Sequence, residues 1–294
     1  MPLTDPRYVD VDGIGTRYFE KGEGEPMVLV HGGHMGAVAA DLADDWDLNF
    51  DALARHYRVY ALDKLGMGFT DNPKTDDGYT IQAQTDHVSR FMETLGIGPA
   101  HLCGHSRGGY LVTRLALQHP EQCRSCIIVD SGTLSPGAGR NEIVHADPPL
   151  PLRSRECHRW VLERYSYSPA CVTEGWLDVA VEAAHTPKYD EAVRKMSDEG
   201  LLATRFLPDL QRDLEETHRW LLDRGLQRPT LMLWGYNDPT APLSQGMALM
   251  EFLTARERRT YLHIFNESGH FCYREHPEAF NAAVRAFTES CVTR

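Results

Sequence analysis

The chain of 294 residues has no run of basic residues, no long apolar stretch and no low-complexity tract. A nucleic-acid partner is not expected, because phosphate binding needs a clustered basic face and the formal net charge is −12. No segment approaches the ~20 apolar residues of a membrane span, and the start carries no basic segment followed by an apolar one. We therefore expect a soluble protein that is not exported.

Cysteine is also sparse. The seven cysteines are an odd number without the density of a disulfide scaffold, which favours a reducing compartment such as the cytoplasm. Cys123 and Cys126 form a C-x-x-C pair, but no second pair follows at zinc-finger spacing. We interpret them as buried structural thiols and expect no metal site.

What the chain does contain is an alternation of strand-like and helix-like segments. Strands are predicted at 7–11, 16–20, 27–30, 57–62, 100–103, 126–129, 230–234 and 260–265, and helices at 81–95, 109–117 and 277–290. Alternating strands and helices indicate an α/β fold with a parallel sheet and right-handed crossovers. The helix-prone, proline-punctuated stretch from 135 to 227 predicts an inserted helical cap, so that 1–134 and 228–294 form the core.

A G-x-S-x-G pentapeptide lies between a predicted strand and a predicted helix, with Ser106 at its centre. The pentapeptide alone is a permissive pattern, so its flanks carry the argument. In a strand-to-helix turn, Gly104 and Gly108 let neighbouring backbones approach while the serine is held in a strained turn with its hydroxyl exposed. Ser106 is therefore a candidate nucleophile.

The end of another strand carries a candidate oxyanion site. The strand ending at 30 runs into His31-Gly32-Gly33-His34. The backbone N–H of Gly33, together with the N–H of Arg107 just after the serine, is placed to stabilise an oxyanion. By itself the glycine pair also fits a tight turn that needs small residues, but the serine motif favours the functional interpretation.

A base and an orienting acid follow the last two strands. A serine hydroxyl needs a base within hydrogen-bond reach, and that base needs a carboxylate to set its tautomer. His270 follows Gly269 after the last strand, and Asp238 follows the strand before it. Asp130 also ends a strand and is the alternative acid.

These motifs, in this order and at these spacings, resemble the α/β-hydrolase superfamily over nearly the whole chain. The resemblance implies a mostly parallel eight-stranded sheet flanked by helices, and no cofactor. Residues 57–72, with 63–68 and then Thr70-Asp71, are similar to the superfamily's loop after its fourth strand. Ser106 sets the chain apart from dehalogenases and epoxide hydrolases, which use an aspartate at this position.

Within the superfamily, residues 242–246, 261–265 and 268–278 resemble the hydrolases that cleave meta-ring-fission products of aromatic degradation. The resemblance implies hydrolysis of a C–C bond in a 2-hydroxy-6-oxo-dienoate. The chain departs from that family at three places: His105 replaces an asparagine, Phe271 replaces a tryptophan, and Ala180 aligns with a cap arginine. Arg107 and Arg194 are candidates to replace that arginine. His34, His105 and Phe271 are the candidate substrate-binding residues.

Two other functions remain open at this stage. A carboxylesterase or lactonase acting on a small apolar ester uses the same triad, and a low-turnover ligand receptor can retain it. The expected partner is a small-molecule substrate, and a homo-oligomer, dimeric or larger, is left open. The cap offers Trp160, Trp176, Leu201, Phe206 and Trp220, which either line an apolar pocket or pack the cap onto the core.

Overall fold

A computed structural model describes residues 2–292 of the protein, in which eight strands form one sheet of order β1-β2-β4-β3-β5-β6-β7-β8. The strands are β1 (Arg7–Val11), β2 (Ile14–Lys21), β3 (Pro26–Val30), β4 (Arg58–Leu62), β5 (Ala100–His105), β6 (Cys123–Val129), β7 (Thr230–Gly235) and β8 (Thr260–Phe265). β3 to β8 pair in parallel, whereas β2 is antiparallel to both β1 and β4. The predicted mostly parallel sheet is confirmed.

Helices cover both faces of this sheet and fill the chain between β6 and β7. They are α1 (Asp47–Leu53), α2 (Ile81–Thr94), α3 (Arg107–Gln118), α4 (Asn141–Val144), α5 (Arg155–Tyr165), α6 (Glu174–Ala184), α7 (Pro187–Val193), α8 (Leu207–Arg224), α9 (Leu243–Thr254), α10 (Cys272–Glu275) and α11 (Pro277–Val292). Two π-helical turns, Arg194–Asp198 and Leu202–Phe206, connect α7 to α8. None of the helices within residues 2–292 combines the length and apolar character needed to cross a membrane.

The antiparallel entrance to the sheet depends on a two-residue turn. Asp12 and Gly13 have φ of 54° and 81°, and they join β1 to β2 with Val11 opposite Ile14. Positive φ at both turn residues matches the right-handed twist of the flanking strands, which is why an Asp-Gly pair favours this hairpin. The turn thereby sets the register in which β2 presents its buried side chains.

Alternate residues of the central strands build two apolar layers. Val28 and Val30 pack with Leu111 of α3 on one face, while Met27 and Leu29 pack in the other layer, which includes α1 and α11. Side chains of a strand alternate between faces, so a strand buried on both sides is apolar throughout. Both layers hold the carboxyl ends of the parallel strands at one edge of the sheet.

The segment between β6 and β7 carries α4 to α8, within the region predicted as a cap. Its α6 is fixed to the core by Trp176, whose Nε1 donates to Asp45 Oδ1 at 2.7 Å. Trp176 and Phe206 are buried in the apolar layers. Of the two interpretations of these aromatic residues, lining a pocket or packing the segment onto the core, their burial favours packing.

Two helices that we did not predict have identifiable reasons for being missed. The helix α1 is seven residues long, too short to display a 3.6-residue period clearly. In α9 the run Met247-Ala248-Leu249-Met250 is apolar on successive positions, so no single stripe marks a buried face. Tertiary packing, rather than a sequence pattern, decides these helices.

Gly108→Ala should destabilise the fold, because a Cβ there would lie 2.4 Å from the carbonyl oxygen of Val30. We expect a loss of about 1–3 kcal/mol in the free energy of unfolding, typical of overpacking. The matched control is Gly98→Ala, which has no heavy atom within 4 Å of its Cβ position. Urea denaturation of both variants checks this, and equal stabilities would contradict it.

Candidate active site

Ser106 occupies a strained turn between β5 and α3. Its backbone has φ 53° and ψ −120°, a conformation that costs a non-glycine residue energy. The turn is held by the Ser106 N–H, which donates to the Val129 carbonyl at 2.8 Å, and by the Ser131 hydroxyl, which donates to the Ser106 carbonyl at 2.6 Å. A Cβ at Gly104 would lie 2.2 Å from the Gly108 oxygen, so both glycines permit the close backbone approach.

His270 and Asp238 form a buried hydrogen-bonded pair. The Nδ1 of His270 donates to Asp238 Oδ2 at 2.6 Å. The other carboxylate oxygen of Asp238 accepts bonds from the Thr240 N–H at 2.8 Å, the Thr240 hydroxyl at 3.0 Å and the Ala241 N–H at 2.8 Å. Burial lowers the pKa of His270. The Asp238 carboxylate and its hydrogen bond raise this pKa, and together with more distant carboxylates they outweigh burial, so the net shift is upward. With Nδ1 engaged, Nε2 remains the ring nitrogen able to act as a base.

Asp130 is committed to a different contact. Its Oδ1 accepts the N–H of Gly235 at 2.7 Å, and its side chain also interacts with the Cys272 thiol. Burial and the neighbouring Asp238 carboxylate raise the pKa of Asp130 well above its usual value. Geometry therefore favours Asp238 over Asp130 as the acid that orients His270.

Lys64 fixes the loop that contains Gly33. The ammonium of Lys64 donates to the Gly33 carbonyl at 3.1 Å, and the Lys64 backbone N–H donates to His31 Nε2 at 3.1 Å. Gly33 has φ 69°, a left-handed conformation that glycine adopts without strain. Gly32 approaches Ser106, since a Cβ on it would lie 3.1 Å from Ser106 Cβ. The loop that we expected to stabilise an oxyanion thus adjoins Ser106.

A charged cluster, comprising Asp41, Lys64 and Arg107, lies on the Gly32–Gly33 side of Ser106. Burial lowers the pKa of Lys64 to about 7, an effect that Asp41 opposes and Arg107 reinforces. Burial raises the pKa of Asp41, while Lys64, Arg107 and His270 oppose the rise. Two cations and one carboxylate leave this side of the site with a positive balance when all three are charged.

The three residues predicted to bind substrate do not line the cavity onto which Ser106 and His270 open. His105 is 1% exposed, and its Nε2 donates to the His270 carbonyl at 2.8 Å. Phe271 is 2% exposed and packs against Trp176. His34 is partly exposed beside Phe206, and burial together with Arg107 lowers its pKa to about 3.

Arg107 and Arg194, the two candidates to replace a cap arginine, differ in their distance from Ser106. Ala180 is buried in an apolar cluster that includes Leu42 and Tyr189. Arg194 has a half-exposed side chain and pairs with Glu191 and Glu199. Arg107 is the first residue of α3, beside the nucleophile, with its guanidinium carbon 5.9 Å from the centre of the Phe206 ring. Of the two arginines proposed, Arg107 is the one at the site.

The segment between β6 and β7 contacts the His270 loop directly. The Tyr165 ring stacks on the His270 ring with centroids 4.9 Å apart and planes 21° apart. The Tyr165 carbonyl accepts the His270 N–H at 2.8 Å. A Cβ at Gly269 would lie 2.4 Å from the Tyr165 oxygen, so the glycine allows this contact.

Glu275 joins the same two segments. One carboxylate oxygen accepts the N–H groups of Tyr167 at 2.7 Å and Ser168 at 2.9 Å. The other oxygen accepts the Gly269 N–H at 2.5 Å and the Ser268 hydroxyl at 3.3 Å. A carboxylate with several N–H donors makes strong, charge-assisted bonds. Glu275 therefore holds the segment before His270 against the cap.

Ser106 and His270 open onto one cavity of about 330 Å³. Its remaining wall carries no charged side chain and consists of glycines, small polar groups and leucines of α8: Gly132, Thr133, Gly137, Gly139, Asn141, Leu207, Leu210, Gln211, Leu214, Thr240 and Ala241. Sequence reasoning missed this wall, because the loop after β6 has no motif. The leucine spacing on α8 was its one available signal, since it marks a single helical face.

The chain belongs to the alpha/beta hydrolase fold family, whose sequence model matches residues 25–277. Its relatives include meta-cleavage product hydrolases of aromatic degradation. It is 28% identical over 285 residues to 2-hydroxy-6-oxo-6-(2'-aminophenyl)hexa-2,4-dienoic acid hydrolase of Metapseudomonas resinovorans, covering 96% of this chain and 90% of that protein. It is 27% identical over 283 residues to 2-hydroxymuconate semialdehyde hydrolase of Pseudomonas sp. (strain CF600), covering 96% and 93%.

A solved structure gives the same likeness in three dimensions. The meta-cleavage product hydrolase of Pseudomonas fluorescens IP01, in a complex with acetates, matches with a TM-score of 0.79 and 27% identity, and the match covers 97% of each chain. The protein is thus a hydrolase of the α/β fold that is similar to meta-cleavage product hydrolases.

Asp238→Asn should leave the fold intact but lower kcat by about 10⁴-fold, because the amide favours the wrong His270 tautomer. Asp130→Asn is the matched control, and we expect a much smaller loss, since Asp130 bonds the Gly235 N–H rather than the imidazole. Steady-state hydrolysis of a p-nitrophenyl ester by both variants is the measurement. A severe loss confined to Asp130→Asn would reverse the assignment.

Glu275→Gln should loosen the histidine loop. The amide nitrogen cannot accept the Gly269 N–H, and a buried donor without its partner costs about 1–3 kcal/mol. We expect a lower melting temperature and a lower kcat with little change in KM. Glu278→Gln is the control, an exposed position in the first turn of α11 that should change stability by less than about 0.5 kcal/mol. Wild-type melting and kcat in Glu275→Gln would contradict this role.

Proposed function

We propose that the protein hydrolyses the C–C bond of a meta-ring-fission product, a 2-hydroxy-6-oxo-dienoate. The observation that carries the proposal is the two-sided arrangement around Ser106. The charged cluster adjoins the Gly32–Gly33 side, and the uncharged cavity lies on the side of the loop after β6. Such a dienoate has an anionic end and an uncharged acyl end, which match these two sides. The similarity to dienoate hydrolases supports the same substrate class.

In this proposal Ser106 attacks the 6-carbonyl of the ketonised substrate. His270 takes the hydroxyl proton on Nε2, and Asp238 stabilises the imidazolium that forms. The N–H groups of Gly33 and Arg107 stabilise the oxyanion. The C5–C6 bond then breaks, leaving an acyl group on Ser106, and water activated by His270 releases it.

The carboxylate end of the substrate is assigned to Arg107 and Lys64. Both cations are close enough to Asp41 to oppose the rise in its pKa, and Arg107 follows the nucleophile in the chain. An arginine binds a carboxylate through paired N–H donors, and a lysine contributes a compact charge. These two residues thereby take over the function that the related hydrolases assign to a cap arginine.

A carboxylesterase is the second candidate function, and the buried Ala180 favours it. The same nucleophile and base hydrolyse an ester, whose leaving oxygen is bonded directly to the attacked carbon. An esterase needs no dedicated site for a distant carboxylate. The two functions therefore differ in the leaving group rather than in the catalytic residues.

Ser106→Ala should abolish hydrolysis, with a loss in kcat on the order of a millionfold if the triad acts as a unit. Ser244→Ala, at an exposed position of α9, is the control and should retain wild-type activity. Wild type and both variants are assayed with a 2-hydroxy-6-oxo-dienoate, by loss of its absorbance, and with p-nitrophenyl esters. Turnover of the esters alone would replace the C–C proposal by the esterase. Near-wild-type activity in Ser106→Ala would remove the assignment of the nucleophile.

A further inference from the structure

Resting on the proposed C–C hydrolysis, we propose that Asp41 is a further catalytic residue, which exchanges a proton with the 2-oxygen of the dienoate leaving group. Asp41 precedes α1 and belongs to no motif of the predicted triad or oxyanion loop. Its side chain nonetheless reaches the reaction centre, and three independent features of its surroundings support this assignment.

The first feature is position. A Cβ on Gly32 would lie 3.1 Å from Ser106 Cβ and 3.4 Å from Asp41 Oδ1, so the carboxylate and the nucleophile flank the same glycine. A Cβ on Gly33 would lie 2.0 Å from Asp41 Oδ2, so the carboxylate packs directly over the loop that contains the proposed oxyanion donor. Asp41 is partly exposed, as a group that meets substrate must be.

The second feature appears in comparison with two neighbouring carboxylates. Asp44 accepts bonds from the Leu3 N–H and from Arg17. Asp45 accepts bonds from the Leu42 N–H and from Trp176 Nε1. Among residues 2–292 no hydrogen bond is formed to the Asp41 carboxylate, so its lone pairs are available to a ligand.

The third feature is charge. Lys64, Arg107 and His270 all interact electrostatically with Asp41 and favour its ionised form, whereas burial raises the pKa of Asp41 and favours the protonated form. A group that accepts and returns a proton needs neighbours that act on both of its protonation states, and Asp41 has such neighbours. The cations also limit the repulsion between this carboxylate and a developing oxyanion.

The chemistry of C–C hydrolysis supplies a reason for a second acid–base group. On ketonisation the 2-hydroxyl loses its proton to the Asp41 carboxylate, the C2=O bond forms, and the displaced electron pair at C5 takes a proton from the His270 imidazolium. Neutral His270 then accepts the Ser106 proton during attack on C6. When the C5–C6 bond breaks, its electron pair moves along the chain to the 2-oxygen, which takes the proton back from Asp41. The His270 imidazolium then gives its proton to solvent and, once neutral, activates the water that releases the acyl group from Ser106. Ionisation of the released acid returns a proton to His270 for the next turnover.

His270 cannot serve both ends of this substrate at once. In the proposed attack its Nε2 serves the Ser106 hydroxyl at C6, whereas the 2-oxygen is attached to C2, four carbon–carbon bonds from C6. In an ester the leaving oxygen is bonded to the attacked carbon itself and lies within reach of His270. A p-nitrophenolate moreover leaves without needing a proton. Asp41 should therefore matter for the dienoate and not for a p-nitrophenyl ester.

Asp41→Asn tests this difference, because the amide retains the shape of the side chain but cannot carry the proton. We expect kcat for the dienoate to fall by about 10²–10³-fold, a usual contribution of general acid–base catalysis, with kcat for a p-nitrophenyl ester changed less than about threefold. Stopped-flow absorbance should locate the loss in the ketonisation and cleavage steps. Asp44→Asn is the control, since Asp44 bonds the Leu3 N–H and Arg17: it should lower the melting temperature while leaving the ratio of the two rates unchanged.

Each other outcome has a distinct meaning. Equal losses on dienoate and ester would overturn the proposal and assign Asp41 to the electrostatics of the oxyanion loop. An unchanged dienoate rate in folded Asp41→Asn would also overturn it, while the C–C function would stand. A wild-type enzyme that turns over esters but no dienoate would remove the proposed function and this inference together.

Discussion

The close approach of three backbone segments around Ser106 is the constraint on which the rest of the site depends. A Cβ at Gly104 would collide with the Gly108 oxygen, and a Cβ at Gly108 would collide with the Val30 oxygen. The end of β3, the end of β5 and the start of α3 therefore meet without side chains between them. This contact brings the Gly32–Gly33 loop, which follows β3, to the serine, which follows β5. The strain at Ser106 persists because packing on several sides fixes the turn.

Buried charge is the second constraint. The Asp238 and Asp41 carboxylates, on two sides of Ser106, are stabilised in different ways. At Asp238 three donors and the imidazole satisfy the carboxylate completely. At Asp41 no such donors are present among residues 2–292, and compensation comes from Lys64 and Arg107 at longer range. A fully hydrogen-bonded carboxylate is held in one protonation state and one orientation. A carboxylate balanced only by neighbouring charges can change its protonation state.

The fold and the positions of the triad candidates were predictable because both follow from local patterns. Alternating strands and helices predict the parallel sheet, and parallel strands bring their carboxyl ends to one edge. Ser106, Asp238 and His270 each follow such an end, so the sequence places them together. The choice of Asp238 over Asp130 needed coordinates, because two strand ends offered equivalent carboxylates and only the hydrogen bond to His270 distinguishes them.

What the sequence could not predict depends on how loops fold back over the sheet edge. Asp41 lies in a stretch without periodicity, and its approach to Gly33 is decided by the path of the chain between β3 and α1. His105 precedes the nucleophile and was expected to bind substrate, but its ring donates to the His270 carbonyl. The asparagine that the resemblance to dienoate hydrolases leads one to expect at this position is shorter than a histidine. The longer side chain spans from β5 to the His270 loop, and it thereby couples the strand that precedes Ser106 to the loop that contains His270.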